Sequence, residues 1–374
     1  MRICRVAWMP FRLPFATTFA TARGMAAARE GLLLRLESTD GLEGLGEASP
    51  LPAFGGGTVE DVRALLHELA PALVGVEVEQ AEAVLETLDM HRPGAAAVAC
   101  AVDTALLDLS GRSAGRPVAA LLGGQPGRAI PVNATIGWPD AGAAADAAVR
   151  AIAEGFRCVK LKVGLAGSVE AERARIAQVR RAIGPQAALR LDANGAWSPD
   201  LAIEVLRAVE AYGIEFVEQP VPADDLEGLA RVRAGCRVPV AADEAACTPE
   251  QARRVVAAGA ADILIVKPMA AGGLRAGRTI IALAAEAGLR ALVTTTIDSG
   301  VGVAAALHLA AVLPDPPPAC GLATAMLLDG DLIRPRPFPQ DGTMRVPATP
   351  GLGVALDPAR PACCGSAWEE VGAG

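Results

Sequence analysis

Lysine is nearly missing from this chain of 374 residues: 34 residues are basic, but 31 of them are arginine and the only lysines are Lys160, Lys162 and Lys267. Arginine keeps its proton near neutral pH, so it serves solubility and ion pairing but not proton transfer. One tyrosine, three histidines and eight cysteines complete the reactive inventory. The cysteines at 4, 100, 158, 236, 247, 320, 363 and 364 form no C-x-x-C pair. That excludes a zinc ribbon and a disulfide framework and leaves free thiols packed as small hydrophobes. Positive charge is in deficit: 34 basic against 42 acidic residues gives −8. With no basic footprint, nucleic acid is excluded as a partner. Long apolar runs are absent too. Val301–Leu313 carries His308 and is too short to span a bilayer, so no membrane partner is expected. Met1-Arg-Ile-Cys-Arg5 lacks the apolar core of a signal peptide, and a cytoplasmic protein is expected. Charged residues at 20% and hydrophobic residues at 52% describe a folded chain, long enough for a large core in one to three domains.

The first third reads as an α+β unit. Extended segments at Ile3–Phe11, Gly31–Glu37 and Gly44–Glu47 suggest an antiparallel meander. It is flanked by a small polar loop, Thr17–Gly24, and by a Gly/Pro-rich loop, Ser49–Gly57, that carries Phe54 and has the length of a lid. Helical periodicity follows at Val59–Leu73, Gln80–Leu88 and Ala95–Gly111. From Ile130 onward short β-branched runs alternate with Ala-rich helices. Strands are expected at Ile130–Ile136, Cys158–Val163, Ala188–Asp192, Ile214–Glu218, Val238–Ala242, Ile263–Lys267, Ala291–Thr295 and, weaker, Cys320–Ala323. Their ends at Lys162, Asp192, Glu218, Asp243, Lys267 and Thr294 are 30, 26, 25, 24 and 27 residues apart, the length of one repeated βα unit. Such repeats imply parallel strands, and about eight close a (β/α) barrel of modified TIM type. The expected division is a capping domain at 1–125, a barrel carrying the active site at 126–330, and a segment at 331–374 that returns to the capping domain.

Side chains alternate across a strand, so Lys160 and Lys162 share one face of Val159-Lys-Leu-Lys-Val163 while the apolar residues take the other. The outer face of a barrel strand packs on helices, which turns both ammonium groups inward at the C-terminal mouth. A buried lysine pair repels itself, which favours the neutral, basic form of at least one member. The next three strands each end in an acid: Asp192, Glu218 and Asp243. Converging carboxylates repel unless a cation lies between them, and an all-oxygen donor set favours Mg²⁺, with Mn²⁺ as a substitute, over zinc. Asn194 shares the face of Asp192 and can position a ligand. Lys267 ends the following strand, across the mouth from the pair. Thr294-Thr-Thr296-Ile-Asp298-Ser299-Gly300 offers Thr296, Asp298 and Ser299 to a substrate's polar groups. A divalent cation flanked by lysines suits proton removal beside a carboxylate, so the expected partner is a small-molecule carboxylate substrate.

The Lys-x-Lys at 160 and 162, the acids at 192, 218 and 243, and Lys267 resemble the muconate lactonising subgroup of the enolase superfamily, over nearly the whole chain. Within it, Gly46-Glu-Ala-Ser-Pro-Leu-Pro-Ala-Phe54, Val293–Val301, Cys320–Ala325 and Pro350–Gly353 are similar to segments of o-succinylbenzoate synthases. The resemblance implies a syn dehydration of 2-succinyl-6-hydroxy-2,4-cyclohexadiene-1-carboxylate, a step of menaquinone synthesis. Lys162 would act as base and then as acid, Lys160 as its modulator and Lys267 as electrostatic stabiliser. Many relatives carry Glu-Ser where this chain has Asp298-Ser299. The alternatives are dipeptide epimerases, which carry Asp-x-Asp at positions matching Gly321 and Ala323, and N-succinylamino acid racemases, which use the same two lysines. Arg23, Arg29 and the Phe15–Phe19 region are candidates for substrate contact by position, and the capping domain permits a homo-oligomer.

Overall fold

The computed structural model describes residues 1–21, 24–52, 56–358 and 367–372, the side chains of 17–21 and 24–26 excepted. The N-terminal unit is a meander of β1 (Ile3–Thr21), β2 (Gly24–Ser38) and β3 (Glu43–Ala48), packed on α1 (Val59–Leu73), α2 (Glu82–Leu85), α3 (Ala95–Ser113) and α4 (Val118–Leu121). One sheet face packs on the helices, where Ile3, Val6, Trp8, Leu32, Leu34 and Leu36 form a core with Leu65, Leu66, Val98 and Leu106. α1 starts where the sequence says it should, with Thr58 and Asp61 exchanging hydrogen bonds in a capping box. The expected loop at Thr17–Gly24 is instead hairpin: β1 runs to Thr21 and β2 begins at Gly24, with Phe19, Ala20 and Thr21 opposite Ala26, Met25 and Gly24. Ladder hydrogen bonds, not alternation of apolar residues, extend this arm, so its polar composition conceals it. Phe54, Arg23, Cys363 and Cys364 lie outside the described residues.

The barrel follows. β4 (Ala129–Pro131) precedes a run of parallel strands and helices: β5 (Ala134–Ile136), α5 (Ala141–Ala153), β6 (Cys158–Lys162), α6 (Val169–Ile183), β7 (Ala188–Asp192), α7 (Pro199–Val209), β8 (Ile214–Glu218), α8 (Leu226–Gly235), β9 (Val240–Ala242), α9 (Pro249–Ala257), β10 (Ile263–Val266), α10 (Pro268–Ala271), α11 (Leu274–Glu286), β11 (Arg290–Val293) and α12 (Gly300–Ala310). Strands β5 to β11 lie in sequence order in one seven-stranded parallel sheet. The expected first strand is broken in two, because β4 pairs antiparallel with β13 (Thr343–Arg345) and only β5 joins the barrel. The eighth strand shrinks to two bridges, Cys320 to Val132 and Gly321 to Thr294, both parallel. These two residues touch both free edges of the sheet and close the ring, so β6 and β10 stand four places apart on opposite walls. Between them the tail adds β12 (Ile333–Arg334), β14 (Ala355–Leu356) and β15 (Glu369–Gly372). β12 pairs with β14, and only β15 joins the capping sheet, antiparallel to β1. The piece at Thr343–Arg345, expected at the capping domain, lies instead along β4. Leu352 reaches the capping domain: its N–H donates to Asp108 of α3 at 2.8 Å. No described helix is long and apolar enough to cross a membrane.

Candidate active site

At the C-terminal mouth of the barrel, under the capping domain, lies a cavity of about 490 Å³. All three lysines line it, with Asp192, Asn194, Glu218, Asp243 and Thr294–Ile297 from the barrel. Phe15, Arg29, Glu30 and Pro50–Pro52 come from the capping domain. Strand alternation does place the pair as expected: Val159 and Leu161 are fully buried outward while both ammonium groups reach inward. Lys162 Nζ donates to Asp192 Oδ2 at 2.6 Å and Asn194 Oδ1 at 2.7 Å. Lys160 Nζ donates to Glu218 Oε1 at 3.0 Å and lies 2.9 Å from Asp192 Oδ2. Lys267 Nζ donates to Asp243 Oδ2 at 2.6 Å.

The electrostatics at Lys160 are set by the acids around it. Burial works to lower its pKa, but Asp192, Glu218 and Asp243 outweigh burial and raise it. Lys267 behaves alike: burial lowers, and Asp243, Glu244 and Glu218 together raise. The carboxylates split. Burial would raise Asp192, yet Lys160 and Lys162 hold it well below the usual range. Glu218 is pushed up to about 7 by burial, then by the charge of Asp192. Asp243 is pushed up to about 6 by burial, against the pull of Lys267.

Among the described residues no three acids close into a ready metal cage, since ammonium groups lie between the carboxylates. Two observations fit a cation nonetheless. Asp243 Oδ1 is buried with no hydrogen-bond partner, and Glu218 and Asp243 carry a burial and repulsion penalty that a divalent charge would relieve. The donors are all oxygen, as a hard cation requires.

Of the expected substrate contacts, Asn194 and Thr296 line the cavity, whereas Asp298 and Ser299 do not. Asp298 is buried and accepts from Thr296 Oγ1 at 2.5 Å. Burial and the charge of Glu47 push it up to about 7. Ser299 caps α12 and donates to Glu47 Oε2 at 2.6 Å. Sequence reasoning did not assign roles to Gln219, Glu47 or the pair Thr295–Thr324. Gln219, buried at φ +38°, accepts from Asp243 N at 3.0 Å and fixes the start of that loop. Its place beside Glu218 in Phe216-Val-Glu-Gln-Pro220 was a usable signal. Thr295 and Thr324 hydroxyls meet at 2.6 Å on the cavity wall, a contact between distant segments that no local pattern announces.

A parallel barrel that gathers lysines from opposite walls and three strand-end acids at one mouth has the architecture of an enzyme. The chain belongs to the enolase superfamily, in its muconate lactonising subgroup. Residues 2–123 match the mandelate racemase / muconate lactonizing enzyme N-terminal domain, and residues 143–360 match the enolase C-terminal domain-like family. The L-Ala-D/L-Glu epimerase of Bacillus subtilis (strain 168) is 31% identical over 357 residues, 95% of this chain and 97% of that one. The o-succinylbenzoate synthase of Thermobifida fusca (strain YX) is 40% identical over 253 residues, 65% of this chain and 77% of its own. A dipeptide epimerase from Enterococcus faecalis V583, solved with Mg and the dipeptide L-Leu-L-Tyr, superposes with a TM-score of 0.89 at 29% identity, over 95% of this chain and all of the other. Relatives also include muconate cycloisomerases and an N-succinyl-L-Arg/Lys racemase.

Proposed function

We propose that this protein is an o-succinylbenzoate synthase. The observation that carries the reading is the wall formed by the eighth barrel segment. Where dipeptide epimerases present Asp-x-Asp to an ammonium group, this chain has Gly321 and Ala323. The acid pair just downstream does not replace it: Asp331 is buried and accepts from Gly300 N at 2.8 Å and Leu332 N at 2.7 Å, and neither Asp329 nor Asp331 lines the cavity. An eighth-segment wall without that acid pair suits an acyl chain that carries no ammonium. The 40% identity to the Thermobifida synthase supports the same choice.

Asp192, Glu218 and Asp243 are the residues that would hold Mg²⁺. When bound, that ion supplies positive charge to the substrate carboxylate as its α-carbon loses a proton. Lys162 Nζ, aimed by Asp192 and Asn194, takes the α-proton and returns it to the leaving hydroxyl on the same face, which makes the elimination syn. Lys160 holds Glu218 and Asp192 in place, and Lys267 adds a fixed positive charge on the opposite wall. The capping segment at Pro50–Pro52 forms part of the cavity wall.

A second reading, racemisation of N-succinylamino acids, is favoured by the opposition of Lys162 and Lys267, which can serve the two faces of one α-carbon. Relative kcat/KM on the cyclohexadiene carboxylate, N-succinylamino acids and L-Ala-D/L-Glu decides between them. Dehydration is expected to dominate, and to be lost reversibly on chelation of divalent metal. Dipeptide epimerisation without dehydration overturns the proposal.

A further inference from the structure

The turn after β11 is held in a conformation its sequence resists. Ile297 has φ +66°, in the left-handed region that a β-branched side chain avoids. Such strain persists only where surrounding contacts over-determine it. Here those contacts come from the capping domain. Arg29 of β2 is buried, and its guanidinium donates to the Ile297 carbonyl at 3.1 Å, to Thr296 Oγ1 at 3.3 Å, to the Pro50 carbonyl at 2.6 Å and to the Ser49 carbonyl. One side chain thus ties the barrel turn to the capping loop. Glu47 of β3, 1% exposed, grips the other end of the turn. Its Oε1 accepts from Ser299 N at 2.9 Å and Ser49 Oγ at 2.6 Å, and its Oε2 accepts from Ser299 Oγ at 2.6 Å and Gly302 N at 2.9 Å. A Cβ on Gly302 would meet Glu47 Oε2 at 3.0 Å and Asp298 Cβ at 2.5 Å, so the carboxylate is seated as closely as glycine allows. Ile297 and Thr296 line the cavity, and Glu47 does not.

We propose that Glu47 and Arg29 are positioning residues that clamp the strained Thr296–Ser299 turn to the capping domain and thereby hold Ile297 as the cavity wall against the substrate's acyl chain. The acyl chain as ligand rests on the synthase reading; the clamp itself does not. The hydrogen bonds of both residues run to the turn and the capping loop, so the clamp acts on substrate fit and not on proton transfer.

Two measurements test it. In the first, Glu47→Gln puts a donor where Ser299 N or Gly302 N now donates. KM for whichever substrate the panel shows to be turned over is expected to rise roughly tenfold, with kcat within about twofold, because binding contacts are lost while the chemistry is intact. A fall in kcat at unchanged KM overturns the proposal. The second measurement needs no turnover. Unfolding midpoints of Arg29→Met, Ile297→Gly and the double variant form a cycle. Glycine relieves the strain, so the clamp has less to hold, and the double variant is expected to lose clearly less than the two single losses combined. Additive losses overturn the clamp while leaving the synthase reading intact. Should Arg29→Met not fold, Arg29→Lys enters the same cycle. If the panel shows no dehydration, the synthase reading fails while the unfolding cycle still judges the clamp.

Discussion

Three lysines in 374 residues all converge on one cavity, and each makes its closest contacts with the acids that end neighbouring strands. At this scale the sequence was nearly sufficient, because strand alternation alone aims Lys160 and Lys162 inward. What it missed was partnership. The reading of the lysine pair left out the three carboxylates from β7, β8 and the end of β9, which outweigh burial and raise Lys160. Asp298 and Ser299 were legible as polar residues at a strand end, but Glu47, which holds Ser299, lies 252 positions away in the sequence. For the proposed base, Lys162→Ala is expected to lower kcat by on the order of 10²–10⁴, the usual loss for a general acid–base group. Steady-state kinetics at saturating Mg²⁺ would check this, and wild-type turnover would remove Lys162 from the role.

Among the elements, βα periodicity located the barrel strands because each is a short, buried apolar run between amphipathic helices. It misjudged the two that depart from that form. The first expected strand divides because Ala129–Pro131 finds an antiparallel partner in the tail. The eighth carries too few paired residues to be written in any run of sequence, and its closure rests on Gly321. A Cβ there would lie 2.3 Å from Thr294 Oγ1 and 2.9 Å from Thr294 Cβ. Gly321→Ala is therefore expected to destabilise by about 1–3 kcal/mol, the usual cost of overpacking, and Thr294→Ala to recover part of it. Urea unfolding of both variants and the double variant gives the answer; an unchanged midpoint for Gly321→Ala would show that the closure has slack.

Across the whole molecule, His308 is a three-way joint. It sits on α12, its Nδ1 accepts from Ala119 N of α4 at 3.0 Å, and its Nε2 faces the Leu352 carbonyl of the tail at 3.1 Å. An Nδ1 that accepts must be unprotonated, and burial pulls the residue down to about 4. The unfolded chain takes up that proton near 6.5 and the folded one resists it. The stability involved is fully present above about 6.5 and is lost as pH falls toward 4, amounting to about 3 kcal/mol by linkage. His308→Gln removes the titration, so the stability gap between wild type and variant should narrow from pH 7.5 to pH 5; a constant gap would exclude His308 as the source. This joint was invisible in the sequence, where His308 registered only as an interruption of an apolar run.

The pairing of β15 with β1 has a consequence for biosynthesis. The capping sheet gathers strands from residues 3–48 and closes its outer edge with residues 369–372. A ribosome releases the first three strands on the order of tens of seconds before the fourth. Over that interval the β1 edge along Arg5–Trp8 shows unsatisfied backbone groups to every other nascent chain. Within the barrel, strands β5 to β11 pair in the order in which they are made. The capping sheet is therefore completed only after the barrel strands have been made, and loss of residues 369–372 would reopen an adhesive edge along β1.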